Sequence, residues 1–212
     1  MNIHCDHSDT MGARDSGWIQ IFSENAQEAY ENAIQAVRIA EHSDILLPAM
    51  VTLDGFIISH GMENVMLYDT DKVREFIGEY HPKHPLLDVN NPITFGPLDL
   101  YDYYYEHKRQ QSEAMNNVAK VILDVGKEFG AKFGTEYSLV EKYRTEDADS
   151  VIVALGSTCG TIKEVVDNLR KDGKKVGLLK IRVFRPFDEE TIRSILCNKK
   201  AIAILDRSDS FN

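Results

Sequence analysis

The chain has 212 residues, enough for one large domain or two small ones, and its 43% hydrophobic and 27% charged content is an ordinary balance for a packed globular fold. A formal net charge of -10 excludes non-specific nucleic-acid binding, which needs a basic face to neutralise phosphates, but leaves room for a small anion held by one local arginine. No apolar run reaches the ~18 residues of a membrane helix, and Cys5, Cys159 and Cys197 are far apart with no CxxC pair, which argues against zinc or iron–sulfur ligation within the chain and fits a reducing, cytoplasmic setting.

The start, "MNIHCDHSDT", lacks the basic-then-apolar pattern of a signal peptide. A polar, glycine-punctuated loop over 6–17 leads into the apolar "WIQIF", a predicted strand. Asn25 to Glu28 has the form of a capping box, with Asn25 accepting from the Glu28 amide and Glu28 reaching back. The helix that follows sets Ala26, Ala29, Tyr30, Ala33, Ile34, Val37 and Ala40 on one stripe, and its small residues suit close packing on a sheet. "ILLPAMVTLDGF" predicts a buried strand interrupted at Pro48, parallel and covered on both faces, ending at Asp54-Gly55. "ENVMLYDTDKVREFIGEY" predicts a short strand and then a helix capped by Asp69 or Thr70. Four of the six prolines fall at 82, 85, 92 and 97, so regular structure is not expected there.

A helix is predicted from Glu106 to Phe129, with Met115, Val118, Ala119, Ile122 and Val125 on one side. The polar "GTEYSLVEKYRTEDAD" after it holds or follows the domain boundary. The last third alternates strand and helix: "SVIVALG", a helix closed by Gly173, "KVGLLKIRVF", a helix capped by Asp188, and "AIAILD". That alternation predicts a parallel α/β sheet with right-handed crossovers. The polar start and the strand-then-loop end, "KKAIAILDRSDSFN", suggest a piece of a longer chain.

Several residue groups have chemical potential. Gly156-Ser157-Thr158-Cys159-Gly160-Thr161 lies between a strand and a helix, where backbone amides could hold a phosphate, yet it fits neither GxGxxG nor GxxxxGK[ST]. The plainer reading is a glycine turn that lets helix and strand pack closely. Asp54 and His60 follow a buried strand, and His60 has the pKa range of a general acid or base, or is a satisfied structural histidine. His4, Asp6, His7 and Asp9 offer metal ligands, in a spacing unlike the familiar zinc patterns. Arg14, between Gly12-Ala13 and Asp15-Ser16-Gly17, presents a donor fork suited to a carboxylate, or else pairs on the surface with Asp9 or Asp15.

"DHSDTMGARDSGW", "LDGFIISH", "ALGSTCGTIKEVVDNLR" and "VGLLKIRVFRPF" occur in this order, and together they resemble the alpha subunits of the pyruvate:ferredoxin oxidoreductase (pyruvate synthase) family over nearly the whole chain. The resemblance implies an α/β fold: a partial thiamine-pyrimidine-type, transketolase-like domain followed by a partial transketolase C-terminal-like parallel α/β domain. Residues 1–105 correspond to the later part of the first, 106–146 to a helical linker, and 147–212 to the start of the second. A family threonine that touches substrate and a glutamate that activates the aminopyrimidine would lie upstream. In the family the arginine of "ARxxG" binds the pyruvate carboxylate, and Arg14 occupies that place, with Asp15 and Ser16 replacing the commoner glutamine and threonine. His7, Asp54 and His60 are further candidates for lining the site.

The implied activity is oxidative decarboxylation of pyruvate to acetyl-CoA and CO2 with ferredoxin reduction, or the reverse. Thiamine diphosphate and Mg2+ are expected mainly on a partner subunit and iron–sulfur clusters on other subunits. The expected partners are beta, gamma and delta subunits, ferredoxin, pyruvate and coenzyme A, and the piece alone is expected to be inactive. The alternatives are a relative acting on another 2-oxoacid, or a non-catalytic α/β binding or assembly module using "GSTCGT".

Overall fold

The computed structural model describes residues 5–96 and 98–209. Its helices are α1 (Ser8–Met11), α2 (Ala26–Ala40), α3 (Thr70–Ile77), α4 (Tyr104–Phe133), α5 (Thr158–Lys171) and α6 (Glu189–Leu196). Its strands are β1 (Ile19–Phe22), β2 (Ala49–Thr52), β3 (Val140–Tyr143), β4 (Ser150–Ala154), β5 (Val176–Ile181), β6 (Val183–Arg185) and β7 (Ala201–Ile204). Two sheets form, ordered β2-β1-β6 and β3-β5-β4-β7. Among the described residues no helix is long and apolar enough to cross a membrane.

The second sheet follows the predicted alternation. β5, β4 and β7 run parallel, α5 covers β4 and β5, Gly173 closes α5 at φ 77°, and the Asp188 carboxylate accepts from the Thr191 amide at the start of α6. β3 adds an antiparallel edge from the polar stretch read as linker, because Glu141 lies directly opposite Lys180 and the two pair across the ladder. The segment 106–146 is therefore packed structure: α4 drives Val118, Ile122, Val125 and Phe129 into the first core, and β3 joins the second sheet.

Three strand expectations need correction. "KVGLLKIRVF" is not one strand. β5 ends at Ile181, the backbone turns at the buried Arg182, and β6 pairs antiparallel with β1 in the other sheet. β2 is parallel to β1 as expected, but among the described residues it is an edge strand, half-buried along its length. "ENVMLY" forms no strand, because side chains of α2 take its backbone: the Met66 amide donates to Gln27 Oε1 at 2.7 Å and the Tyr68 amide to the Tyr30 hydroxyl at 3.2 Å. Asp69 caps α3 through the amides of Asp71 and Lys72. Asn25 caps α2 from the Glu28 amide at 2.9 Å, a contact worth about 1 kcal/mol. The reciprocal half of the box is absent, since Glu28 Oε2 accepts from the Glu24 amide instead.

Candidate functional site

The loop before β1 is held from both sides. Gln20, fully buried on β1, donates from Nε2 to the Thr10 carbonyl at 2.9 Å, and Gln111 of α4 donates to the Ser16 carbonyl at 3.2 Å. Gly17 has φ 91°, a conformation that L side chains rarely adopt, and a Cβ there would displace the Gln111 amide from the loop. The clamp places Arg14 in a cleft of about 320 Å³ with Asp15, Lys108, Gln111, Met115 and Arg185. Arg14 donates to Asp15 from Nε at 3.2 Å and Nη2 at 2.9 Å, and Arg185 Nη2 donates to the same carboxylate at 2.8 Å. The hydrogen bond from Arg14 holds the Asp15 carboxyl below its usual range. Both sequence readings of Arg14 meet here: it pairs with Asp15, and it does so in an arginine-lined cleft.

Asp54 and His7 form a second centre. The loop turns His7 inward, and its Nε2 lies 2.8 Å from Asp54 Oδ1, while Asp54 Oδ2 accepts from the Ser157 amide at 2.8 Å and from the Ser157 hydroxyl. Burial would raise the Asp54 carboxyl, but the hydrogen bonds from His7 and Ser157 prevail and hold it well below the carboxylate range. Gly156, at φ 69°, is required here, because a Cβ would meet Asp54 Oδ1 at 2.7 Å. The glycine turn of "GSTCGT" is thus filled by the chain's own carboxylate. It does not offer a cradle for a diphosphate, and the phosphate reading of that motif gives way to the packing one.

The other candidates separate. His60 is exposed and stacks on Phe56 with ring centroids 4.8 Å apart. Of the proposed metal ligands, His4 lies outside the described residues, Asp6 caps the Ser8 amide at the surface, and Asp9 is exposed. His7 instead joins Cys5 and Asp54, whose ligand atoms lie within 4.8 Å of one another. Arg207 Nη1 lies 3.5 Å from Asp54 Oδ2, a guanidinium that competes with any cation for that carboxylate.

The sequence reading missed a buried ion network between the sheets. Lys180 Nζ donates to Glu28 at 2.7 Å, Glu24 at 2.8 Å and Glu141 at 3.1 Å, and Lys163 bridges Glu24 and Glu141 at 2.8 Å each. Burial opposes the Lys180 charge, but the three carboxylates raise its pKa above the ordinary lysine value. Beside it, Arg182 donates to Asn32, Gln35 and the Ser138 carbonyl and stacks over Tyr137 at 4.6 Å, while burial lowers its pKa to about 10. Lys163, Lys180, Arg182 and the three glutamates line a cavity of about 620 Å³. The signal was present in "VGLLKIRVF", two cations inside an apolar strand run, which demands buried partners.

A family model described as pyruvate flavodoxin/ferredoxin oxidoreductase, thiamine diphosphate-binding, matches residues 1–127, and one described as pyruvate:ferredoxin oxidoreductase core domain II matches 148–212. The chain belongs to the pyruvate:ferredoxin oxidoreductase family. Within that family it is 59% identical over 211 residues to pyruvate synthase subunit PorA of Thermotoga maritima, covering 100% of this chain and 54% of that protein. It is 50% identical to PorA of Methanocaldococcus jannaschii, covering 99% of this chain and 54% of that protein. It is 43% identical to ketoisovalerate oxidoreductase subunit VorA of Pyrococcus abyssi, covering 97% and 52%. The chain spans about half the length of the curated relatives it matches. A solved 2-oxoglutarate:ferredoxin oxidoreductase from Magnetococcus marinus shares the fold, with a TM-score of 0.57 at 17% identity, covering 88% of this chain and 34% of that one. The expected mixed α/β fold and the expected family are both borne out.

Proposed function

We propose that this chain is part of the alpha subunit of a 2-oxoacid:ferredoxin oxidoreductase acting on pyruvate, in a cytoplasmic complex with beta, gamma and delta partners. The observation that carries the reading is Arg14, held by the Gln20 and Gln111 clamp in a cleft with two further cations, Lys108 and Arg185. Arg14 binds and aligns the 2-oxoacid carboxylate; alignment of that group is what lets the keto carbon meet its reactant. The family model's description names thiamine diphosphate, which supplies the electron sink for decarboxylation when bound. We assign that group, with Mg2+, mainly to a partner subunit and the iron–sulfur clusters to other subunits, with coenzyme A taking the acetyl group. In the site, His7 and Asp54 act by fixing the loop's base against the second sheet, and His60 contributes no contact. We place the division between the two regions near Gly134, after α4, because β3 belongs to the second sheet.

The test is steady-state ferredoxin reduction by the complete complex carrying Arg14→Ala, with pyruvate, 2-oxobutyrate and 2-oxoisovalerate as substrates. Loss of a charge-assisted contact raises KM at least about tenfold. An unchanged KM and rate for every acid would remove Arg14 from the site, and a preference for a branched acid would reassign the substrate.

A further inference from the structure

We propose that Asp15 is a built-in occupant of the 2-oxoacid carboxylate site, and that Arg185 is the positioning residue that keeps it when substrate takes its place on Arg14. This rests on the reading of Arg14 given above. Arg14 is not idle in the structure. Its Nε and Nη2 both donate to Asp15, the side-on geometry with which a guanidinium takes any carboxylate. Arg185 Nη2 donates to the other oxygen of the same group at 2.8 Å. One carboxylate is therefore shared by two guanidiniums.

The two arginines differ in how they are held. Arg185 ends β6 and is registered against Gln20 of β1, and its Nε is buried without a partner among the described residues. Arg14 lies on the loop, and the Asp15 side chain is two-thirds exposed and free to swing between them. Among the lining residues three cations, Arg14, Lys108 and Arg185, face one acid, Asp15, in a chain whose net charge is -10. The local excess of positive charge is what an incoming anion meets. When the substrate carboxylate binds Arg14, Asp15 stays on Arg185, so a carboxylate replaces a carboxylate and no charge is left bare. Without Arg185, Asp15 would remain on Arg14 and compete with substrate. Without Asp15, Arg14 would be open at all times.

The experiment is a double-mutant cycle in the complete complex, reading KM and kcat for the 2-oxoacid. Asp15→Asn lowers KM and Arg185→Gln raises it, each by up to about fivefold, the ceiling for an exposed pair. In the Asp15→Asn background, Arg185→Gln leaves KM where it was. Throughout, kcat at saturating substrate is unchanged, which separates positioning from a general structural loss. If Arg185→Gln raises KM equally in both backgrounds, Arg185 touches substrate itself and the proposal is overturned. If Asp15→Asn raises KM, or neither variant moves it while Arg14→Ala does, the proposal falls and the role of Arg14 stands. If Arg14→Ala also leaves KM unchanged, both fall together.

Discussion

Replacing Lys180 by methionine keeps the side chain out to Cε and removes the one charge that faces three carboxylates. The cost is uneven across them. Glu141 is 41% exposed and keeps Lys163 at 2.8 Å, and Glu24 also keeps Lys163. Glu28 has neither relief: its side chain is 5% exposed, its Oε1 has no partner among the described residues, and Lys180 is the one cation bonded to it there, Arg182 acting on it only through its charge. A buried carboxylate stripped of its partner costs about 3–5 kcal/mol. It can escape by taking up a proton, which for an ordinary glutamate costs about 4 kcal/mol at pH 7 and about 1 kcal/mol at pH 5. That second figure caps the first. Lys180→Met therefore destabilises by about 4 kcal/mol at pH 7, and the deficit shrinks to about 1 kcal/mol at pH 5. The sign follows from proton binding. The folded variant holds a proton that its unfolded state releases, so its stability falls as pH rises. In the parent the Lys180 pKa is raised, so its contribution is fully present throughout this window. Urea unfolding of the full-length subunit at both pH values measures the difference. A loss under about 1 kcal/mol at pH 7, or one that ignores pH, would show that the carboxylates are solvated through the cavity and that the network does not join the sheets.

Gly156→Ala should destabilise by more than about 1 kcal/mol, because φ 69° is strained for alanine and the new methyl meets a carboxylate that His7 and Ser157 already hold. A thermal midpoint equal to the parent's would refute it. Asp54→Asn should lose about 1–3 kcal/mol at pH 7, the scale of charge-assisted hydrogen bonds, discounted for partial solvent screening. Since the Asp54 carboxyl is held below its ordinary 3.8, that contribution is present above about pH 4 and is lost as pH falls through the lowered value. Parent and variant should converge in acid unfolding curves, and a gap that stays constant below pH 4 would show that the carboxylate charge is not what matters.

Much of the second sheet was legible because each element there is locally consistent: an apolar strand run, a capped helix, a glycine at φ 77°. The caps at Asn25, Asp69 and Asp188 were legible for the same reason. What failed depended on distant partners. β3 reads as polar linker until Lys180 is placed opposite Glu141. "ENVMLY" has strand composition, yet Gln27 and Tyr30 claim the Met66 and Tyr68 amides. "KVGLLKIRVF" reads as one strand, and nothing local tells that its two halves join different sheets. At the site, Arg14 was visible as a residue type, whereas Arg185 became part of its cleft only through β6. Asp54 and "GSTCGT" were each noticed, but their contact, across 103 positions, was not foreseeable from either.

The passage of the chain from β5 into β6 bears on how this polypeptide is made. β1 finds β2 a short way downstream, at Ala49–Thr52, but among the described residues its other edge is completed by Val183, which pairs with Ile21. At ~5–20 residues per second, a ribosome needs on the order of ten seconds or more to deliver that segment. Over that interval the nascent chain carries an open strand edge beside Ile19, Ile21 and Phe22, side chains that are fully buried once the fold is complete. The first sheet therefore closes late relative to the synthesis of β1, and chaperone occupancy during synthesis should fall on β1 until residue 185 has emerged.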